Sequence, residues 1–300
     1  VRVQRRKAGA YLGEVERTHP GAGPARRDPF CVHFADCGGC TLQDITYADQ
    51  LAYKEAIVAA AFGEVDLAAL PEPHPILQAP HEVRYRNKLD FSFGAQRWLS
   101  EEEIGAADTI YDRRGFGFHA AGRFDRVIDL RECHLQPEPS ETIRGFVREY
   151  ACERGLTFYD AREHHGLLRV LTIRTALSGE AMVIVMFGED DPAAIGEVMA
   201  ALRTRFPDLA SLNYVVNTTR NDSLATHEVV RYAGQEWITE RCGPLSLRVR
   251  PKAFYQTNPE QAVRLYRRAV ELAQLTGDEL VYDLYCGIGS ISLFVAPAVR

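Results

Sequence analysis

Cys31, Cys37 and Cys40 stand in a C-x5-C-x2-C spacing, and a fourth cysteine, Cys133, follows after 92 intervening residues. Soft thiolates in such a group select iron–sulfur clusters or zinc over harder metals. The spacing leaves three readings open: a cluster, a zinc site, or unrelated buried thiols. If all four bind one centre, two segments remote in sequence must fold into one body. Gly38 and Gly39 are expected to let the backbone turn tightly between Cys37 and Cys40. Cys133 follows a predicted strand, which suits a remote fourth ligand, and His134 reads as its neighbour. Cys152 on a helix and Cys242 before a Gly-Pro turn read as buried or incidental thiols. A disulfide framework is disfavoured: seven cysteines is an odd count, 300 residues is large for such a scaffold, and no export signal stands at the start. A reducing, cytoplasmic setting is expected.

Composition bounds the class. Hydrophobic content of 46% and charged content of 25% are those of an ordinary globular chain. No apolar run approaches the roughly 18 residues that a membrane span needs, the best being Ala181 to Phe187. The chain opens on Val1 and a basic stretch, so it is expected to begin inside a longer protein. The net charge of −6 argues mildly against nucleic acid, but the charge is uneven. Residues 1–30 carry seven Arg or Lys against three acids, and Arg84 to Arg97 carries four against one. A local basic stripe can track phosphates whatever the whole-chain charge.

Periodicity divides the rest. Residues 1–19 read as the end of a small β domain, with a strand at Ala10–Val15, and Pro20–Pro24 reads as a linker. A helix is expected over Tyr47–Phe62. From Val83 to about Arg250 the pattern is mostly strands: Val83–Phe93, Arg126–Arg131, Leu168–Thr175, Ala181–Phe187, Leu212–Asn217 and Leu245–Arg250. In the first, Arg84, Arg86 and Lys88 share one face, which could follow an RNA backbone or simply be solvated. Two helices are inserted, Glu141–Arg154 behind a Ser140 N-cap and another opened by Asp191-Pro192.

The last fifty residues change character. Asn258-Pro259 opens a helix, preceded by Phe254-Tyr255-Gln256-Thr257, whose adjacent aromatics suit either a core or stacking on a base. A strand is expected at Leu280–Tyr285, then the turn Cys286-Gly287-Ile288-Gly289, then a helix from Ser290. This is the first half of a doubly wound α/β unit. The turn lacks the third glycine of a dinucleotide fingerprint, so NAD is disfavoured. Asp283 with Tyr285 suits a ligand with an amino-acid end, such as S-adenosylmethionine, or the turn is an ordinary αβ connection.

Taken together, the cysteine set, the Phe254–Asn258 segment, and Asp283–Ser290 resemble the bacterial RNA (uracil-5-)-methyltransferases, in particular the 23S rRNA branch that carries a 4Fe–4S cluster. The resemblance implies an α+β and α/β multidomain chain. Residues 1–19 would be the remnant of an OB-like domain. Residues 25–250 would be a central, mostly-β RNA-binding domain holding the cluster on Cys31, Cys37, Cys40 and Cys133. Residues 251–300 would begin a Rossmann-like domain for S-adenosylmethionine. It implies Gln256 and Tyr285 as cofactor contacts, with Asp283, Gly287 and Gly289 shaping the pocket. Phe254 would touch RNA, beside the basic Arg84, Arg86 and Lys88. The implied partner is 23S rRNA, with tRNA or a non-catalytic RNA-binding module as alternatives, and the protein is expected to be a monomer. The nucleophilic cysteine and carboxylate base of such enzymes would lie after Arg300, so residues 1–300 alone are expected not to complete methyl transfer. Cys286, inside the turn, is not that nucleophile.

Overall fold

A continuous apolar strand needs cover on both faces, and Ala181–Phe187 receives it. In the computed structural model, which describes residues 2–7, 10–14, 23, 25–63, 73–105 and 112–299, every residue of this strand is buried. It is β6 of ten. The others are β1 (Arg2–Lys7), β2 (Ala10–Glu14), β3 (Lys88–Gly94), β4 (Gly115–Gly117), β5 (Leu168–Thr175), β7 (Ser211–Val216), β8 (Val230–Gly234), β9 (Ile238–Cys242) and β10 (Leu245–Val249). The helices are α1 (Tyr47–Ala61), α2 (Glu101–Gly105), α3 (Ser140–Glu153), α4 (Pro192–Arg205), α5 (Pro259–Ala273) and α6 (Ser290–Val295).

The chain forms two compact units. The first comprises residues 1–29 and 42–77, the second 30–41 and 78–300. In the first unit β1 and β2 pair as an antiparallel hairpin. Most of the expected linker at 20–24 lies outside the described residues. Helix α1 forms as expected behind Thr46, whose side chain accepts from the Asp49 N–H, but its apolar positions are not buried.

The second unit is built on a six-stranded sheet in the order β4-β3-β5-β6-β7-β8. Only β6 and β7 run parallel, and α4 makes the crossover between them, as parallel neighbours require. On one face Leu89, Phe91 and Phe93 of β3 and Val183 and Val185 of β6 pack with Ile143 and Val147 of α3 and Val198 and Leu202 of α4. Burying one such Phe or Leu contributes about 1.5–3 kcal/mol. On the other face Met182 and Ile184 meet β9, β10 and α5 through Ile238, Leu247, Val263 and Tyr266. The segment after residue 250 therefore closes a core that begins in β6.

Several expected elements change. The strand predicted over Val83–Phe93 begins only at Lys88. Arg84 has φ 57°, and the Arg84 and Arg86 N–H groups donate to the His134 and Leu135 carbonyls. The stretch 126–131 is extended but forms only bridges, with the Val127 carbonyl accepting from Trp98 and the Ile128 N–H donating to Phe118. The Leu280–Tyr285 strand does not form, because no described strand lies beside it to complete its ladder. Helix α3 starts at Ser140, not after it: the Ser140 hydroxyl donates to the Gln136 side chain, so its cap role fails. Gly155, at φ 64°, does follow the helix end as expected. No helix among the described residues is long and apolar enough to cross a membrane.

Candidate functional site

The cysteine loop, residues 31–40, is folded by its own backbone and pinned to the sheet unit. The Phe34 N–H donates to the Cys31 carbonyl and the Cys37 N–H to the His33 carbonyl. Cys37 bridges Ala120, the Gly38 N–H donates to the His119 carbonyl at 3.0 Å, and the Ala121 N–H donates to the Asp36 carbonyl at 2.9 Å. Gly38 is required for this approach, since a Cβ there would lie 2.9 Å from the His119 oxygen. The glycine thus serves contact with a neighbouring strand more than tight turning.

Helix α3 holds the other end of the set. Its buried Arg144 donates to the carbonyls of Leu130 and Arg131 and pairs with Glu141. Glu141 in turn accepts the Cys133 N–H at 3.2 Å, and Arg148 pairs with Asp129. Three side chains on one helix face therefore fix residues 129–133. The Arg131 N–H donates to His33 Nε2 at 2.9 Å, which ties this segment to the cysteine loop. Burial and Arg131 lower the His33 pKa, which favours Nε2 as an acceptor.

Cys40 lies within electrostatic reach of Cys31, Cys37 and Cys133, and Cys37 within reach of Cys31 and Cys133. Burial pushes Cys133 up to about 11, and Cys40, Glu141 and Cys37 add to the rise. Burial, Glu132 and Cys40 raise Cys31; burial, Cys40, Cys31 and Asp36 raise Cys37. Burial and neighbouring acids therefore disfavour the thiolate form of Cys31, Cys37 and Cys133. No three Cys, His, Asp or Glu among the described residues close on a point suited to one metal ion. Cys242 is fully buried against Tyr255, and Cys152 is half-buried on α3 near Arg148, both as expected.

The second candidate site flanks α5. Phe254 is 73% exposed and Tyr255 only 4%, so the adjacent aromatics face opposite ways and cannot share one base. Tyr255 belongs to the core. Asn87 holds the segment by donating from its side chain to the Gln256 carbonyl at 3.0 Å and from its N–H to the Thr257 carbonyl at 2.8 Å. Asn258 caps α5 by accepting the Gln261 N–H. The Gly-rich turn reaches the same helix, because Tyr266 of α5 lies 3.2 Å from the Ser290 hydroxyl and stacks obliquely on Phe294. Gly287 and Gly289 have φ of 57° and 76°, conformations that favour glycine, and a Cβ on Gly287 would meet open space. Tyr285, at φ 68°, is fully exposed. Asp283 accepts from the backbone and hydroxyl of Ser292, so it also secures the start of α6.

The basic stripe is not brought together. Lys88 pairs with Asp90, Arg84 donates to the Gln136 carbonyl, and Arg86 is half-buried before the strand begins. The residues missed from sequence are Glu141, Arg144 and Arg148. Their signal was a charge inside an apolar helical stripe, since Arg144 sits between Ile143 and Val147.

A protein of Porphyromonas gingivalis named as an uncharacterized RNA methyltransferase is 45% identical over 99% of this chain and 64% of its own length. One of Bacteroides thetaiotaomicron with the same name is 39% identical over 100% of this chain and 66% of its own. This chain is similar, throughout its length, to proteins named as RNA methyltransferases. It spans just under two thirds of these relatives. The structure of Pyrococcus abyssi tRNA (uracil-54, C5)-methyltransferase in complex with S-adenosyl-L-homocysteine superposes with a TM-score of 0.70, at 23% identity, over 99% of this chain and 62% of that one. The two share a mixed α/β fold. No family model matches the chain.

Proposed function

We propose that this protein is an S-adenosylmethionine-dependent RNA methyltransferase acting on carbon 5 of a uridine, in 23S rRNA. The observation that carries the methyltransferase reading is similarity along the whole chain, at 45% identity, to a protein named for that activity. Gln256 and Tyr285 would hold the cofactor, with Asp283, Gly287 and Gly289 forming its edge. A Cβ at Gly287 would meet open space, and Tyr285 is fully exposed, so both are accessible to a ligand. The cofactor supplies an electrophilic methyl group on a sulfonium. Carbon 5 of uracil is a poor nucleophile, so the proposed route adds a cysteine thiolate at carbon 6, lets the resulting enolate take the methyl group as S-adenosylhomocysteine leaves, and then removes the carbon 5 proton with a carboxylate while the carbon 6–sulfur bond breaks and the thiolate departs. The target base must leave its stack to react. Phe254, exposed at the entrance to α5, would meet RNA there.

Cys31, Cys37, Cys40 and Cys133 would hold a 4Fe–4S cluster. The reading rests on the four-cysteine pattern and on the mutual electrostatic influence of Cys37 and Cys133 with Cys40. The cluster would cross-link the 31–40 loop to the segment fixed by α3. The protein is proposed to act in the cytoplasm as a monomer.

A second reading, a tRNA substrate, is favoured by the fold neighbour, which acts on uracil-54 of tRNA by its name. The test is incubation of the protein, at its natural length and prepared without oxygen, with methyl-labelled cofactor and either RNA, followed by nucleoside mass spectrometry. Label in 5-methyluridine from 23S rRNA is expected. Label from tRNA alone would move the substrate, and label in no RNA would end the methyltransferase reading.

A further inference from the structure

A cavity of about 390 Å³ opens at the C-terminal end of β3, bounded by the turn 119–127, the loop 159–164, the start of β5 and residues 220–222. Its volume falls in the range that holds a nucleotide-sized ligand. Neither the cofactor nor the cysteine reading uses it.

The cavity has a fixed floor and a charged rim. In the floor, Arg169 is buried and wholly occupied: it pairs with Asp222 and donates to the carbonyls of Asn217, Thr219 and Asn221. Its guanidinium lies 4.2 Å from the centre of the Tyr159 ring. At the rim, the Asp125 side chain is 3% exposed and is shared by Arg123, Arg126 and Arg162. One carboxylate thus balances three guanidiniums. The Arg162 side chain is 59% exposed, so an outer edge stays open to an anion. Arg220, carried on the loop that Arg169 pins, is exposed and has no ion-pair partner among the described residues. Phe124, on the opposite turn, is 69% exposed.

Guanidiniums with free edges beside an open aromatic ring are the components of a single-strand platform: phosphate meets charge and a base stacks on the ring. A small free anion would need neither the aromatic nor this volume. We propose that the cavity is a nucleotide subsite for single-stranded RNA, with a phosphate on Arg162 and Arg220 and a base against Phe124. The inference rests on the RNA-substrate reading. The turn that carries Phe124 is also the one gripped by the cysteine loop through Ala120, His119 and Ala121. The loop therefore acts as a buttress for one wall of the subsite.

Fluorescence anisotropy of the full chain with a labelled uridine-rich 12-nucleotide RNA, at several salt concentrations, tests this. Phe124→Ala should raise Kd about fivefold or more with an unchanged salt slope. Arg220→Ala should raise Kd and reduce the slope by about 0.7. Both side chains are exposed, and unchanged circular dichroism confirms folding. Wild-type affinity in both variants, while the unaltered chain binds RNA, overturns the subsite and leaves the substrate reading intact. An unaltered chain that binds no RNA overturns both. An equal loss on duplex RNA by Phe124→Ala overturns base stacking and with it the proposal.

Discussion

Arg144→Met would strip α3 of its hold on the segment that carries Cys133. Methionine keeps most of the volume of the aliphatic stem, so the change isolates the guanidinium. Three bonds go: to the Leu130 carbonyl, the Arg131 carbonyl and Glu141. Hydrogen bonds to a charged group contribute about 1.5–3 kcal/mol each when buried. Glu141 is partly exposed, at 27% of its side chain, and Arg131 is exposed, so only the Leu130 carbonyl counts in full. The expected loss is about 3 kcal/mol. For a unit of this size that lowers Tm by about 6–12 °C. Thermal unfolding followed by circular dichroism reads the shift, and thiol labelling at partial unfolding reads Cys133. A drop under 2 °C with unaltered Cys133 reactivity would refute the reasoning, because the helix would then not be what fixes residues 130–133.

Three further outcomes follow from the same geometry. Gly38→Ala should destabilise the loop by about 1–3 kcal/mol, the usual penalty of overpacking against backbone, with a lowered Tm as the measure. Cys133→Ser should lose the iron and the broad absorbance near 400 nm of an anaerobic preparation; unchanged iron content would remove this residue from the ligand set. Asp125, held near 2 chiefly by Arg162, is depressed below its unfolded value, so its stabilisation is present above about pH 4 and disappears as pH falls towards 2. Asp125→Asn should flatten the acid limb of stability against pH between those values, and an unaltered limb would show that the carboxylate is not so held.

Elements with a clean period were legible in the chain. Leu168–Thr175, Ala181–Phe187 and the helix after Asp191-Pro192 follow from alternation, a continuous apolar run and a cap. Residues 126–131 were not, because their hydrogen bonds go alternately to two neighbours and never complete a ladder. The Leu280–Tyr285 run reads as a strand by composition, yet strand formation depends on a partner that composition cannot supply. Gly287 and Gly289 were visible because positive-φ turns admit few residue types. The subsite around Asp125 was not, since it is assembled from five separated segments. The strand expected from Val83 starts only at Lys88 because Arg84 takes a positive φ, which breaks the alternation.

The central claim is methyl transfer to carbon 5, and release of tritium from RNA made with 5-tritiated uridine tests it most directly. With the protein at its natural length, S-adenosylmethionine and 23S rRNA, the account predicts cofactor-dependent tritium release matched one for one by methyl incorporation. Methyl incorporation without tritium release would place the new bond elsewhere on the nucleotide and contradict the account.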